Sequence, residues 1–278
     1  MGTGMAGRAL GAGFPLAVYN RNRAKAEPFA KQGAVVADTP REAAAQAEVI
    51  ISMVADDVAS RGIWLGEDGA LAGAQAGSVL IESGTLTAGW IKELAAAAAQ
   101  HGCELLDAPV TGTKPHAAAG ELRFLVGGSA AALERARPVL AVMGNDIVYF
   151  GPTGSGALMK LINNFVCGVQ AASLAEASAL IDAGGLDREK ALAVLTNGAP
   201  ASPLVKTVAA RAAAGDINNP NFVLRLMAKD STYAMEEGAR LGHPLQTAAA
   251  ALNIFKQAIA AGYGEKDFAA VIEAMRKR

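Results

Sequence analysis

Short apolar runs alternate with amphipathic stretches through the first 150 residues of the chain. The runs Pro15–Tyr19, Ala34–Val36, Val49–Met53, Ser78–Glu82, Glu104–Ala108, Arg123–Val126 and Ile147–Tyr149 predict strands. Helical spacing recurs between them over Arg41–Ala47, Ala88–His101 and Ala130–Met143. Strand–helix alternation of this kind predicts an α/β domain built on a doubly wound parallel sheet. The texture changes at the breaker cluster Gly151-Pro152-Thr153-Gly154-Ser155-Gly156. Beyond it helices are expected over Ala157–Ala183, Arg188–Thr196, Pro203–Ala214, Val223–Leu241, Leu245–Ala261 and Asp267–Met275. The domain boundary is placed near residue 150, with an α/β dinucleotide-binding domain at 1–150 and an all-helical substrate and dimerisation domain at 151–278.

The chain opens Met1-Gly2-Thr3-Gly4-Met5-Ala6-Gly7, a literal G-x-G-x-x-G. A dinucleotide fingerprint must follow a strand and open a helix, and no strand precedes this one. In the better register Gly2 is the third fingerprint glycine, and Gly2 through Ala12 is the helix that faces a pyrophosphate. Gly4 and Gly7 are then the small residues that pack this helix on the sheet. The next run ends at Asn20, 18 residues after Gly2, close to the ~20-residue offset of the ribose-binding position. There the chain reads Asn20-Arg21-Asn22-Arg23 with no acid, which favours NADP(H) over NAD, because neutral and cationic donors suit a 2′-phosphate. The first strand of the domain looks truncated. Burying about five large apolar side chains there would contribute roughly 7–15 kcal/mol. The natural protein is therefore expected to carry about ten more residues upstream, and without them the chain is expected to fold or bind nucleotide weakly.

A second informative stretch is Gly151-Pro152-Thr153-Gly154-Ser155-Gly156-Ala157-Leu158-Met159-Lys160-Leu161-Ile162-Asn163-Asn164. Its glycines predict a tight loop feeding a helix, from which Lys160 and Asn164 project on one face. The surrounding side chains are apolar nearly all round, so the helix is expected to be buried, and a buried lysine needs a reason. Gly168, one turn further, leaves space beside them. The loop Asp107-Ala108-Pro109-Val110-Thr111-Gly112-Thr113 follows a strand end, where α/β proteins place ligands; read by residues alone it is as much a turn as a site. Lys229-Asp230 stands in the helical region, where such a pair is more often a surface ion pair.

Composition narrows the field. The 278 residues are 52% hydrophobic, 18% charged and 5% aromatic, with a net charge of −1. No basic run occurs besides the tail Arg276-Lys277-Arg278, read as a frayed, solvated helix end, so nucleic acid is not an expected partner. Cys103 and Cys167 stand apart, as do His101, His116 and His243, which predicts reduced thiols and no metal site. No stretch reaches the ~18 apolar residues of a membrane span, and no signal layout opens the chain, so a cytoplasmic location is expected.

Taken together, Asn20-Arg21, Glu82-Ser83-Gly84-Thr85, the 107–113 loop, the 151–164 segment and Lys229-Asp230 resemble the 3-hydroxyisobutyrate dehydrogenase group of β-hydroxyacid dehydrogenases. Within it they are most similar to glyoxylate and succinic semialdehyde reductases. The resemblance runs over essentially the whole chain and implies a Rossmann domain joined by a long helix to a helical domain, in homodimers or homotetramers. It implies NAD(P)-linked interconversion of a small hydroxy acid and its aldehyde or keto partner. By position, Lys160 matches the catalytic lysine, Asn164, Thr111 and Gly112 the substrate-binding residues, Thr85 a residue near the nicotinamide, and Lys229 a lysine reaching the cofactor. Gly2, Asn20 and Arg21 complete the cofactor set. The chain departs from the group in its first strand, at Thr113, where glycine is common, and at Val54-Ala55-Asp56, where Leu-Pro is frequent. Two rival readings are an imine reductase, against which Lys160 argues, and a non-catalytic or impaired nucleotide-binding protein.

Overall fold

Val49-Ile50-Ile51, Val79-Leu80-Ile81 and Leu105-Leu106 are runs that gain most by lying flat in a covered sheet, and each becomes a strand. The computed structural model describes residues 1–276. The chain divides into two compact units, Met1–Lys160 and Leu161–Arg278. The first unit opens with helix α1 (Gly2–Gly11), strand β1 (Ala17–Val18), α2 (Glu27–Ala30), β2 (Val35–Val36), α3 (Pro40–Ala44) and β3 (Val49–Ser52). It continues through α4 (Asp57–Trp64), α5 (Ala70–Gly73), β4 (Val79–Glu82), α6 (Ala88–Gln100), β5 (Glu104–Asp107) and β6 (Val110–Thr111). It closes with α7 (Lys114–Ala119), β7 (Leu122–Gly127), α8 (Ala130–Met143) and β8 (Gly144–Gly151).

The strands form a six-stranded sheet, ordered β3-β4-β5-β7-β6 with β8 on β7, and a separate two-stranded ladder of β1 and β2. The parallel pairing expected from strand–helix alternation holds across β3, β4 and β5 and for β7 with β8. At β7 the sheet reverses, since β7 is antiparallel to both β5 and β6. Pro109, with no N–H to give a ladder, breaks the strand between β5 and β6. Alternate residues of the central strands face opposite cores. Val79, Ile81, Leu106, Phe124 and Val126 pack with Leu133 and Leu140 of α8. Leu80 and Leu105 pack with Trp64 of α4 and with Trp90 and Leu94 of α6. β4 is the innermost strand, with all four residues at 0% exposure. The β1–β2 ladder lies at the surface instead, with Val35 66% exposed. Helix starts follow their caps: Asp56 accepts from the Ala59 N–H, Thr87 from Trp90 and Ser129 from Ala132.

The second unit is helical: α9 (Ser155–Ala183, beginning in the first unit), α10 (Arg188–Asn197), α11 (Pro203–Ala213), α12 (Leu224–Arg240), α13 (Gln246–Ala258) and α14 (Ala270–Arg276). Its core gathers Ala171, Leu174 and Ala175 of α9 with Met227 of α12, Phe255 of α13 and Val271 of α14. A Cβ on Gly168 would stand 3.2 to 3.4 Å from Met227 Sδ, Phe255 Cε2 and Ser231 Oγ. Glycine there lets α12 and α13 close on α9, so the space expected beside it is filled. Two expectations about α9 are corrected. By length and composition it is apolar enough to cross a membrane, although the apolar-run count found no such stretch; polar residues such as Asn163, Asn164 and Gln170 interrupt the run, while the mean over the helix stays apolar. Nor is it buried all round, because Ile162 and Val166 are each 43% exposed and Leu180 74%. Of the basic tail, Arg276 ends α14 in ion pairs with Asp182 and Glu273; the other two residues lie outside the described ones.

The glycines of α1 pack otherwise than expected. A Cβ at Gly4 would come within 2.8 Å of the Ala117 carbon and the Ala118 nitrogen, so Gly4 lies on the backbone of α7 rather than on the sheet, and nothing lies within 4 Å of one at Gly7. Gly4→Ala is expected to destabilise the first unit by about 1–3 kcal/mol and Gly7→Ala to leave it unchanged or slightly firmer, read as the difference between their thermal midpoints.

Candidate active site

The site begins with an enclosed acid at the end of a strand. Asp107 closes β5 at 0% exposure. Its Oδ1 accepts from the Gly154 N–H at 2.9 Å and its Oδ2 from the Ala157 N–H at 2.8 Å. These are the loop before α9 and the first turn of α9 itself, where a helix leaves its N–H groups unpaired and favours negative charge. Glycines make the close approach possible. A Cβ at Gly156 would fall 2.2 Å from the Leu125 oxygen, and one at Gly127 would fall 2.7 Å from Asp107 Oδ1. Gly154 takes φ +94°, a conformation side chains resist. Burial pushes the Asp107 carboxyl above its ordinary range, against the pull of these hydrogen bonds.

Lys160 stands one turn after Ala157 on the helix so anchored and is half-buried. Asn164 follows one turn further, within the second unit. There it is buried, and its Nδ2 donates to Asp230 Oδ2 at 2.6 Å. Asn163 Nδ2 donates to Asn164 Oδ1 at 3.0 Å. Asp230, itself 1% exposed, also holds Lys229 Nζ at 3.0 Å, and that ammonium lies 4.9 Å from the Tyr233 ring centre. Lys229-Asp230 is therefore not the solvated surface pair that its sequence surroundings favoured, and the amide of Asn164 keeps one N–H and one lone pair beyond these bonds.

In the first unit, Thr111 ends β6 half-buried and Gly112 turns at φ +118°. A Cβ there would crowd His116 and Leu122 at 3.1 Å. Thr113, which replaces a common glycine, makes a capping box with His116: its backbone N–H and its hydroxyl lie 3.1 and 2.9 Å from His116 Nδ1. At the end of β4, Glu82 is enclosed and Thr85 is half-buried. Gly2 is the first residue of α1, and a Cβ there would meet nothing nearer than Met53 at 3.8 Å. Asn20 and Arg21 are exposed at the end of β1, and Asn20 Oδ1 accepts from the Asn22 N–H at 2.9 Å. Arg23 is engaged by Glu27 and Asp38. Asp107 thus ties the 107–113 strand end to the helix bearing Lys160, and Asp230 ties Asn164 to Lys229. Asn20 and Arg21 stand apart on the outer ladder. Sequence reasoning gave no role to Glu82, Asp107 or Asp230 as single residues; the signal was an acid directly after the apolar runs Val79-Leu80-Ile81 and Leu105-Leu106.

Residues 1–151 match the family described as the NAD binding domain of 6-phosphogluconate dehydrogenase, and residues 154–275 the one described as NAD-binding of NADP-dependent 3-hydroxyisobutyrate dehydrogenase. The chain belongs to the 3-hydroxyisobutyrate dehydrogenase family. That family consists of NAD(P)-dependent hydroxyacid dehydrogenases and reductases, and this chain is one of them. The NAD-dependent L-serine dehydrogenase of Pseudomonas aeruginosa is 33% identical, over 98% of this chain and 93% of that protein. Glyoxylate/succinic semialdehyde reductase 2 of Arabidopsis thaliana is 31% identical, over 99% of this chain and 77% of that protein. The solved Mycobacterium tuberculosis 3-hydroxyisobutyrate dehydrogenase with L-serine superposes with a TM-score of 0.88, at 33% identity, covering 99% of this chain and 96% of that one. A dinucleotide fits the start of this chain at one observation: helix α1 opens at Gly2, and a Cβ there would meet nothing nearer than Met53 at 3.8 Å, which leaves room at the helix N-terminus for a phosphate.

Asp107→Asn turns an N–H donor toward a backbone N–H whichever way the amide lies, and is expected to cost about 1–3 kcal/mol of stability. A carboxyl whose folded pKa is raised stabilises the fold fully below its unfolded pKa and loses that contribution as pH rises through the folded value. The melting-temperature advantage of the wild type over Asp107→Asn is therefore expected to shrink as pH rises through the acid-to-neutral range.

Proposed function

We propose that this chain is an NADP(H)-dependent reductase of short carboxylate-bearing aldehydes or keto acids, of the glyoxylate or succinic semialdehyde kind, with Lys160 as its acid–base group. The observation that carries the reading is the clamp of Asp107 on Gly154 and Ala157, which fixes the start of the helix one turn before Lys160. A lysine held on a rigid, partly water-shielded helix is the group that carbonyl reduction needs where negative charge develops on oxygen. The nicotinamide supplies the hydride in reduction and receives it in oxidation. The Lys160 ammonium gives its proton to the developing alkoxide, and in the oxidative direction the neutral amine takes it back.

Asn164 uses the donor and lone pair left by Asp230 and Asn163 to orient substrate. Thr111, through its hydroxyl, and the amides near Gly112, fixed by the turn, grip the substrate carboxylate. Gly2 places a helix N-terminus at the cofactor phosphates, Thr85 lies beside the nicotinamide, and Lys229 adds a cation to the cofactor. Asn20 and Arg21, exposed and with no acid beside them in sequence, supply donors for the 2′-phosphate. The same reading makes the protein a cytoplasmic homodimer or homotetramer, for which the exposed Ile162, Val166 and Leu180 of α9 offer apolar surface.

Lys160→Ala is expected to lower kcat by about 100- to 10,000-fold while NADPH binding persists, measured with glyoxylate and succinic semialdehyde at the reduced-nicotinamide absorbance. Turnover within a few-fold of wild type would remove Lys160 from the role. Arg21→Ala is expected to raise KM for NADPH roughly tenfold, the worth of one charge-assisted hydrogen bond, and to leave KM for NADH in place.

A further inference from the structure

Glu82 is a carboxyl group at 0% exposure on the innermost strand, and its hydrogen-bond partners are neutral. Enclosing an acid that way is costly, and an apolar side chain of the same size would fill the space at less cost. What demands a carboxylate is the set of donors around it. Ser60 Oγ donates to Oε2 at 2.7 Å, Trp64 Nε1 donates to Oε2 at 2.8 Å, and the Gly84 N–H donates to Oε1 at 2.8 Å. Ser60 in turn accepts from Trp90 Nε1 at 2.9 Å. A glutamine would turn its amide donor against the Gly84 N–H in one orientation and the Trp64 N–H in the other, so an acid suits the set of partners and an amide does not.

The three bonds do not lead to the same place. Ser60 and Trp64 belong to α4, and Trp90, behind Ser60, belongs to α6. The bond to Gly84 reaches the loop Ser83–Leu86. That loop rests on the carboxylate itself, because a Cβ on Gly84 would lie 3.0 Å from both Glu82 Oε1 and the Val54 oxygen. Its far end is held by the same helix, since Thr87 N and Oγ1 donate to Asp57 at 3.0 and 2.6 Å. Thr85 sits between these two anchors.

We infer that Glu82 is a positioning residue for the cofactor: its carboxylate fixes the backbone at Gly84, and through it the place of Thr85 beside the nicotinamide. This rests on the proposed reading that Thr85 lies at the cofactor. The chain's two tryptophans, Trp64 and Trp90, both belong to this network, so their emission reports on the network and on a reduced nicotinamide bound near it.

The test uses the full chain and two variants, Glu82→Gln and Gly84→Ala, the second lifting the loop off an intact carboxylate. NADPH affinity is read by energy transfer from the tryptophans, and kcat and KM with glyoxylate, beside melting temperature. Each variant is expected to weaken NADPH binding roughly tenfold, one lost hydrogen bond to a charged group. Each is expected to lower kcat while KM for glyoxylate stays within about twofold. Glu82→Gln is further expected to shift the tryptophan emission. Should Glu82→Gln fail to fold, Gly84→Ala decides alone. Wild-type NADPH affinity and kcat in a folded variant overturn the inference and leave the enzyme assignment standing. A wild-type chain that binds neither NADPH nor NADH overturns both.

Discussion

A single enclosed acid decides where the long helix starts. Asp107 is out of water, and an unshared carboxylate there would cost several kcal/mol. That cost is offset because its two oxygens meet two N–H groups that the loop and the helix N-terminus would otherwise leave unpaired. The acid and the helix start therefore need one another. The glycines belong to the same joint: a Cβ at 127 would strike the carboxylate itself, and one at 156 would strike the Leu125 and Asp107 backbone oxygens, forcing the helix start away from β5. Lys160 inherits its place from this joint.

Glu82 repeats the device one strand away. Both acids end neighbouring strands, both are held above their ordinary pKa by burial, and both accept from backbone N–H groups, Glu82 from Gly84 just after it and Asp107 from Gly154 and Ala157 far along the chain. Parallel strands present their carboxyl ends on one edge of a sheet, so an acid in the last position can pin a backbone segment that lies at that edge. Asp230 does related work in the helical unit, where one carboxylate holds both the amide of Asn164 and the ammonium of Lys229.

Much of this order was legible along the chain. The long helices came through nearly residue for residue, α8 at Ala130–Met143 and α10 to α13 within a few positions, because their apolar spacing persists over several turns. The interior strands were legible as continuous apolar runs. Helix α4 was not, since Asp56-Asp57-Val58-Ala59-Ser60-Arg61 carries few apolar residues and Val58 is 81% exposed; its start is decided by the Asp56 cap. The reversal at β7 was hidden as well, because strand direction depends on pairing partners far along the chain. At the site, Lys160, Asn164 and the glycines stood out as polar or flexible residues in an apolar stretch. The acids that hold them did not, because their role lies in contacts spanning from 2 to 66 residues of sequence.

Hydride transfer to a carbonyl, completed by a proton from Lys160, is the claim on which the functional account stands. The most direct measurement follows the hydride itself: the wild-type chain is mixed with NADPH deuterated at the reactive nicotinamide carbon and with glyoxylate or succinic semialdehyde, and the hydroxy acid formed is examined by mass spectrometry. The account predicts one deuterium on the carbinol carbon of the product. Consumption of NADPH with no deuterium in the hydroxy acid, or no hydroxy acid from any short carboxylate-bearing carbonyl offered, would contradict it.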